Sequence, residues 1–147
     1  MNERRFCTLY VDGLVLGIAI ELIEEVLRGQ IVTPVPLAHP DVAGLLNLRG
    51  QIVTTIDARR RLCLTQPCGT ERDREIAATI VVLRFGGEAI SILVDRVGDV
   101  VEVSDDHLVD VPPTASTAIR ALTTGAYTLD GALMLVLDPD EMLAVAS

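Results

Sequence analysis

Ser104-Asp105-Asp106-His107 gathers a hydroxyl, two carboxylates and an imidazole within four residues, the letters of a nucleophilic triad. Triad members must converge from separate elements so that hydroxyl, base and orienting acid align, and consecutive residues do not do so. Serine followed by acids is instead the mark of a helix or turn start, where the hydroxyl caps a backbone N–H. Glu24-Glu25 offers two carboxylates, but neighbours on a short helical turn point apart and cannot share a proton. Solvation or partner contact is expected of them. His39 lies between Ala38 and Pro40, and His107 follows two acids, so neither has an i, i+4 partner suited to a metal. Cys7, Cys63 and Cys68 are odd in number, and the closer two have no second pair to complete a zinc site. They read as isolated thiols. Residues 44–50 lack the Lys-Ser or Lys-Thr of a phosphate loop, and two Tyr and two Phe with no Trp make no stacking platform for bases or sugars. These side chains assemble no catalytic centre, metal site or cofactor site, so the expected function is binding rather than turnover.

Charge narrows the partners. Twelve Lys and Arg against twenty-one Asp and Glu give a net charge of −9 with no basic run, which disfavours nucleic acid and anionic membranes. The longest apolar stretch, residues 14–20, is far short of the ~20 residues that span a bilayer. The start, Met-Asn-Glu-Arg-Arg-Phe, has no apolar core of a secretory signal, so a cytoplasmic protein is expected. At 147 residues the chain suits one unit, or two very small ones sharing a core, burying about 70% of its unfolded surface without disulfides or metal.

The elements that must carry any binding site are strands. Eighteen Val and eleven Ile occur in short runs broken at Asp12-Gly13, Arg49-Gly50, Gly86-Gly87 and Asp130-Gly131, four hairpin signals. Their surroundings repeat. A shift of 74 lays Leu16, Ile18 and Ile20 on Ile90, Ile92 and Val94, and Glu21, Ile23, Glu25 and Val26 on Asp95, Val97, Asp99 and Val100. A shift of 81 lays Gly44, Leu48, Gly50, Ile52, Ile56 and Asp57 on Gly125, Leu129, Gly131, Leu133, Leu137 and Asp138. The chain thus reads as two internal copies, approximately 6–64 and 76–143, which can exchange terminal strands. Each is expected to hold a hairpin, an Ile/Val-plus-acid turn, a strand ending at Val35-Pro36 or Val111-Pro112, and a second hairpin. Residues 14–20 are apolar on both faces, which small antiparallel sheets accommodate by closing into barrels, with a two-sheet sandwich as the other solution. Residues 65–75, with Pro67, Gly69 and charges at Glu71, Arg72, Asp73 and Arg74, read as the linker. Helical patterning is brief: residues 21–27, and 138–144 after Pro139.

Duplication separates scaffold from function. Positions alike in both copies, such as Gly50/Gly131 and Asp57/Asp138, are expected to serve folding. Asn47 and Arg49 diverge from Thr128 and Asp130 within a preserved hairpin, which marks them as binding candidates with a charge exposed to water.

Residues 44–53, Gly-Leu-Leu-Asn-Leu-Arg-Gly-Gln-Ile-Val, followed by Ile56-Asp57-Ala58-Arg59, resemble the signature of the CheW family of bacterial chemotaxis coupling proteins. Gly17-Ile18 leading into Ile23-Glu24-Glu25-Val26, then Thr33-Pro34-Val35-Pro36, and then Leu93-Val94-Asp95-Arg96-Val97-Gly98-Asp99-Val100 are similar to its other blocks, in order. The resemblance runs from Phe6 to about Leu143, a single CheW-like domain over 1–147. It implies a mostly β fold of two five-stranded SH3-like β-barrel subdomains on a shared apolar core, with short helices. It also implies a non-catalytic adaptor without cofactors, bound to the regulatory domain of a CheA-type histidine kinase and to the cytoplasmic tip of methyl-accepting chemoreceptors. Such an adaptor is cytoplasmic and associated with receptor arrays at the membrane. Carried over by position, Asn47, Leu48, Arg49 and Gly50 match the family's Asn-Leu-Arg-Gly element, and Ile23, Glu25 and Val26 its partner-contacting short helix. Val97 and Val100 would line the groove between subdomains. Ala58 stands where Leu is usual before Arg59, and Ser91 where Gly is common. The competing class is a barrel that holds a small molecule.

Overall fold

Strand β1 (Glu3–Val11) turns at Asp12-Gly13 into β2 (Leu14–Ala19), and a 3-10 turn at Ile20–Leu22 leads into β3 (Ile23–Arg28). The computed structural model describes residues 3–64 and 79–144, so the expected linker 65–75 lies outside the described residues. The chain continues through β4 (Val42–Leu48), β5 (Gln51–Asp57), α1 (Ala58–Arg61), β6 (Thr79–Phe85), β7 (Glu88–Val94) and β8 (Arg96–Ser104). It ends through β9 (Leu108–Val109), α2 (Thr117–Leu122), β10 (Thr123–Leu129), β11 (Ala132–Leu137) and α3 (Pro139–Met142). All four expected hairpins form. Asp12 and Gly13, Arg49 and Gly50, and Gly86 and Gly87 have positive φ, whereas at the fourth turn only Gly131 does.

These strands make two sheets. One has the order β8-β1-β2-β11-β10-β9 and the other β3-β6-β7-β5-β4. The first hairpin therefore joins β8–β11, while β6 and β7 join β3–β5. Their registers correspond: Leu16 opposite Leu135 in the parallel β2–β11 pair maps by the two sequence shifts onto Ile90 opposite Thr54 in β7–β5. Likewise Cys7 faces Val100 as Val81 faces Val26, and Leu9 faces Val97 as Leu83 faces Ile23, with a register shift between the two pairings in both sheets. The expected count of five strands per sheet is met in one. The other gains β9, whose Val109–Ala126 pairing matches the isolated Thr33–Leu45 bridge of its counterpart. Strands ending at Val35-Pro36 and Val111-Pro112 do not form beyond these short pairings, because proline supplies no N–H to extend a ladder.

A helix over 21–27 is not what forms. Only Ile20–Leu22 turns, and Ile23–Arg28 is a strand in which Ile23, Glu25 and Leu27 are half-buried and Glu24, Val26 and Arg28 exposed. Local spacing allowed either period. Strand β6 decides it by offering backbone partners from Leu83 to Thr79, which a four- to seven-residue helix could not match with its own costly nucleus. The second helical expectation holds as α3, started by Asp138, whose carboxylate accepts from Asp140 N at 3.1 Å. Helix α2 went unforeseen, although Ser116, which accepts from Ile119 N at 3.2 Å, is an ordinary N-cap signal.

Both faces of each sheet are apolar because each works in two cores. Leu9, Leu16 and Ile18 of one sheet meet Ile56, Val81, Leu83 and Ile92 of the other in a shared core, closed by Ile119, Leu122 and Met142. On its opposite face the six-stranded sheet holds Phe6, Tyr127, Met134 and Val136, with Val15 and Ala19 packed on them. The five-stranded sheet holds Val32, Leu46, Ile80, Val82 and Leu93. Along β6 the sides alternate strictly, Ile80 and Val82 one way and Val81 and Leu83 the other. Each such buried side chain contributes roughly 1.5–3 kcal/mol. Phe6 and Tyr127 lie on strands three places apart in the order, yet their ring centroids are 5.6 Å apart, so this sheet is strongly curled.

Cys7 is buried on β1, and burial pushes its thiol above the ordinary range, whereas Cys63 is exposed after α1. Iodoacetamide at neutral pH is expected to alkylate Cys63 in the native protein and Cys7 only in denaturant, since the thiolate is the nucleophile. Peptide mass spectrometry reports each site separately. Equal rates would mean that β1 opens readily.

Candidate partner-binding site

Strand β3 and the β4–β5 hairpin stand at opposite edges of the five-stranded sheet, and one ion pair spans them. Arg49 Nη2 lies 2.6 Å from Glu25 Oε1, with the arginine side chain 72% exposed and the glutamate 24% exposed. The expectation that Arg49 carries a lone charge in water is therefore corrected. The buried acid Asp57 is not its partner: Asp57 caps α1 through Arg59 N and Arg60 N and lies 3.4 Å from Arg60 Nε. The other acid of the Glu24-Glu25 step turns the opposite way and meets Arg84 Nη2 at 3.0 Å. Alternation along a strand, rather than along a helical turn, separates the two carboxylates.

The magnitudes say what the pair is for. An exposed ion pair stabilises by about 0–1 kcal/mol. Arg49 adopts φ 51, a left-handed conformation that costs a non-glycine residue roughly 1–2 kcal/mol. Folding thus gains nothing from having arginine at this turn, where glycine or asparagine would be relaxed. The rest of the hairpin is ordinary scaffold: Asn47 Oδ1 accepts from Gly50 N at 3.0 Å and pins the turn, Gly50 has φ 82, and half-buried Leu48 packs on the Leu46 core.

The remaining candidates divide. Ile23 is half-buried against the shared core, while Val26, on the same strand, is 41% exposed. The expected short helix for Ile23, Glu25 and Val26 is replaced by β3. Val97 and Val100 are on β8, the edge of the other sheet. There Val97 packs on the shared core and Val100 is 50% exposed. Their positions match Ile23 and Val26 by register, but no described contact joins them to the Glu25–Arg49 pair. The structure therefore brings together β3 and the Asn47–Gly50 turn and leaves β8 apart. Sequence reasoning missed the Glu25–Arg49 pairing, for which a separation of 24 residues gives no local signal.

Elsewhere, Ser104 caps the short turn Asp105–His107, as its capping pattern predicts, and His39 Nδ1 accepts from Asp41 N at 3.1 Å. Among the described residues no three His, Cys, Asp or Glu side chains converge as metal ligands, and no helix is long and apolar enough to cross a membrane. A stronger charge cluster joins the sheets: Arg59, its side chain 9% exposed, meets Asp12 Oδ1 at 3.0 Å and Asp95 Oδ2 at 2.6 Å. Asp95 Oδ2 also accepts from Asp12 N at 2.8 Å.

Comparison with known proteins places this geometry. The crystal structure of the scaffolding protein TtCheW from Thermoanaerobacter tengcongensis superposes with a TM-score of 0.78, covering 93% of this chain and 90% of that one at 20% identity, which shows a shared fold. A chemotaxis protein CheW of Thermotoga maritima is 27% identical over 143 residues, 97% of this chain and 89% of that protein. A CheW of Treponema pallidum is 30% identical over 123 residues, 82% of this chain and 71% of that protein. The CheW-like domain profile matches residues 5–147, and with a mostly β fold of two sheets to carry it, this chain belongs to the CheW-like domain family of chemotaxis scaffold and adaptor proteins.

Proposed function

We propose that the chain is a non-catalytic adaptor that couples chemoreceptors to a CheA-type histidine kinase, in the cytoplasm and at receptor arrays. One observation carries this reading: an arginine held in an unfavourable backbone conformation at an exposed hairpin, paired with a glutamate across the sheet and flanked by exposed Val26. Strain that folding does not reward is characteristic of contact surfaces. Partner contact is assigned to Glu25, Val26 and the Asn47–Gly50 turn, with Val97 and Val100 on the second, register-matched edge. Family membership supports the adaptor class. The finer architecture belongs to the same proposal: one CheW-like unit of two copies, 6–64 and 76–143, whose exchanged first hairpins complete two SH3-like barrels. The Thr33–Leu45 bridge, which lays the chain after β3 on β4, and the Glu25–Arg49 pair and Phe6–Tyr127 contact, which each join distant strands of one sheet, support closure. Two crevices among the described residues give the small-molecule alternative little support: those lined by Phe6 and Phe85 and by Pro34 and Arg60 measure about 260 and 240 Å³, below the ~300–1,000 Å³ usual for ligand pockets.

The test is reconstitution with receptor-bearing membranes and a CheA-type kinase. The protein is expected to sediment with both and to make kinase autophosphorylation receptor-dependent. Failure to bind either partner would reject the adaptor reading. Val26→Asp is the informative surface variant, because it sets a charge on a surface that binding would desolvate. It is expected to weaken receptor co-sedimentation with little change in melting temperature. Ile23→Asp is a poorer probe, since Ile23 also packs on the protein's own core. Unchanged binding of folded Val26→Asp would remove β3 from the site.

A further inference from the structure

The register correspondence of the two sheets makes one broken position conspicuous. Arg59 is the second residue of α1 and donates its N–H to Asp57 Oδ1 at 3.0 Å; the second residue of α3, whose N–H donates to Asp138 Oδ1 at 3.1 Å, is Asp140. The backbones are equivalent and the charge is reversed. Asp95, which holds Arg59, corresponds to Glu21, so the acceptor is kept, while Asp12 corresponds to Gly86. Next to this position, at Pro139, lies a crevice of about 260 Å³ lined by Phe6, Glu21, Leu22, Phe85 and Pro139 among others. The counterparts of Glu21 and Pro139 are Asp95, which pairs with Arg59, and Ala58, which precedes it.

We infer that this crevice receives an arginine side chain from a partner protein, in the place that Arg59 fills on the other side of the molecule. The inference does not depend on the adaptor reading. Apolar walls from Leu22, Phe85 and Pro139 suit the methylene stem, and Glu21 supplies a carboxylate for the planar fork. Asp140, next in the chain to Pro139, is exposed and outside the crevice lining, and carries a further negative charge. Arg4 also borders the crevice, but its guanidinium is 4.9 Å from the Phe6 ring centre and 3.9 Å from Asp105, so it is already engaged. Glu21 and Asp140 have no ion pair among the described residues.

Acetyl-Gly-Arg-Gly-amide titrated into the ¹⁵N-labelled protein is expected to give saturable amide shifts centred on Glu21, Leu22 and Phe85. The peptide with citrulline in place of arginine, of the same shape but uncharged, is expected to give none. Equal response to citrulline, or no saturable shift at tens of millimolar, overturns the site. Binding of free L-arginine as tight as that of the peptide overturns the assignment to a partner protein. Asp140→Arg supplies the occupant in cis: it is expected to raise the melting temperature by about 2–4 °C, to abolish the peptide response, and to lose its gain when combined with Glu21→Gln. If Asp140→Arg does not fold, Glu21→Gln alone must abolish the peptide response, and a retained response overturns the inference.

Discussion

Arg49→Glu is expected to lower the melting temperature by no more than about 2–4 °C while weakening binding to kinase or receptor about 10- to 100-fold. The stability side follows from exposure. Removing a surface pair costs about 0–1 kcal/mol, and the new repulsion between Glu25 and the introduced carboxylate is screened by water and salt. The binding side follows from desolvation: a guanidinium that forks onto a partner carboxylate is worth several times more when water is excluded, and reversing its sign repels that partner. Arg49→Gly sharpens the contrast. Glycine relaxes the left-handed turn, so this variant is expected to be as stable as the native protein or more so, and still to lose binding. The exchange Glu25→Arg with Arg49→Glu separates two roles. If the pair only ties the sheet edges, the swapped pair restores coupling; if Arg49 contacts a partner, coupling stays lost. Full binding by Arg49→Glu would withdraw Arg49 from the interface. Circular dichroism and co-sedimentation with each partner supply the readouts.

The four hairpins were legible because positive-φ turns draw on few residue types, and the strands because Val and Ile runs on both faces leave little else to form. The Gly50/Gly131 and Asp57/Asp138 repeats also pointed to scaffold. Both glycines turn hairpins, and both aspartates cap the helix that follows their strand. What stayed hidden was set by partners far along the chain. Residues 21–27 carry a spacing compatible with a helical turn, and only the edge of β6, roughly fifty residues later, makes Ile23–Arg28 a strand. Arg49 was singled out by divergence between copies, yet its carboxylate is on a strand paired elsewhere, and the strain at φ 51 has no trace in composition. The Arg59 clasp was hidden for the same reason: Asp12, Arg59 and Asp95 come from a hairpin tip, a helix and a strand junction.

Gly44→Ala should be the most destabilising of these substitutions, costing about 3 kcal/mol or more and lowering the melting temperature by roughly 6–12 °C. Gly44 lies on β4 where the Thr33 backbone crosses, with Thr33 N donating to Leu45 O at 2.9 Å and Leu45 N to Thr33 O at 2.8 Å. A β-carbon there would stand 2.6 Å from the Thr33 carbonyl carbon, closer still to its oxygen, and 2.9 Å from Val32 Cγ1. Backbone is the obstacle, so no side-chain rotation relieves it. The Thr33–Leu45 bridge must break or β4 must shift, and either exposes Val32 and Leu46 from the second core of that sheet. Gly50→Ala is the control. Its φ of 82 is unfavourable for alanine, but nothing lies within 4 Å of the added carbon, so its cost is limited to about 1–2 kcal/mol of backbone strain. Gly125, the counterpart of Gly44, faces Leu108 Cδ1 at 2.8 Å and Val109 O at 3.2 Å, and its alanine variant should fall between the two because a leucine tip can move. Thermal melts of the three variants give the ranking Gly44, Gly125, Gly50. A Gly44→Ala protein as stable as Gly50→Ala would mean that the 33–45 crossing is not part of the folded edge. The Glu25–Arg49 pair would remain between β3 and the β4–β5 turn, but an exposed pair is too weak by itself to hold two sheet edges together.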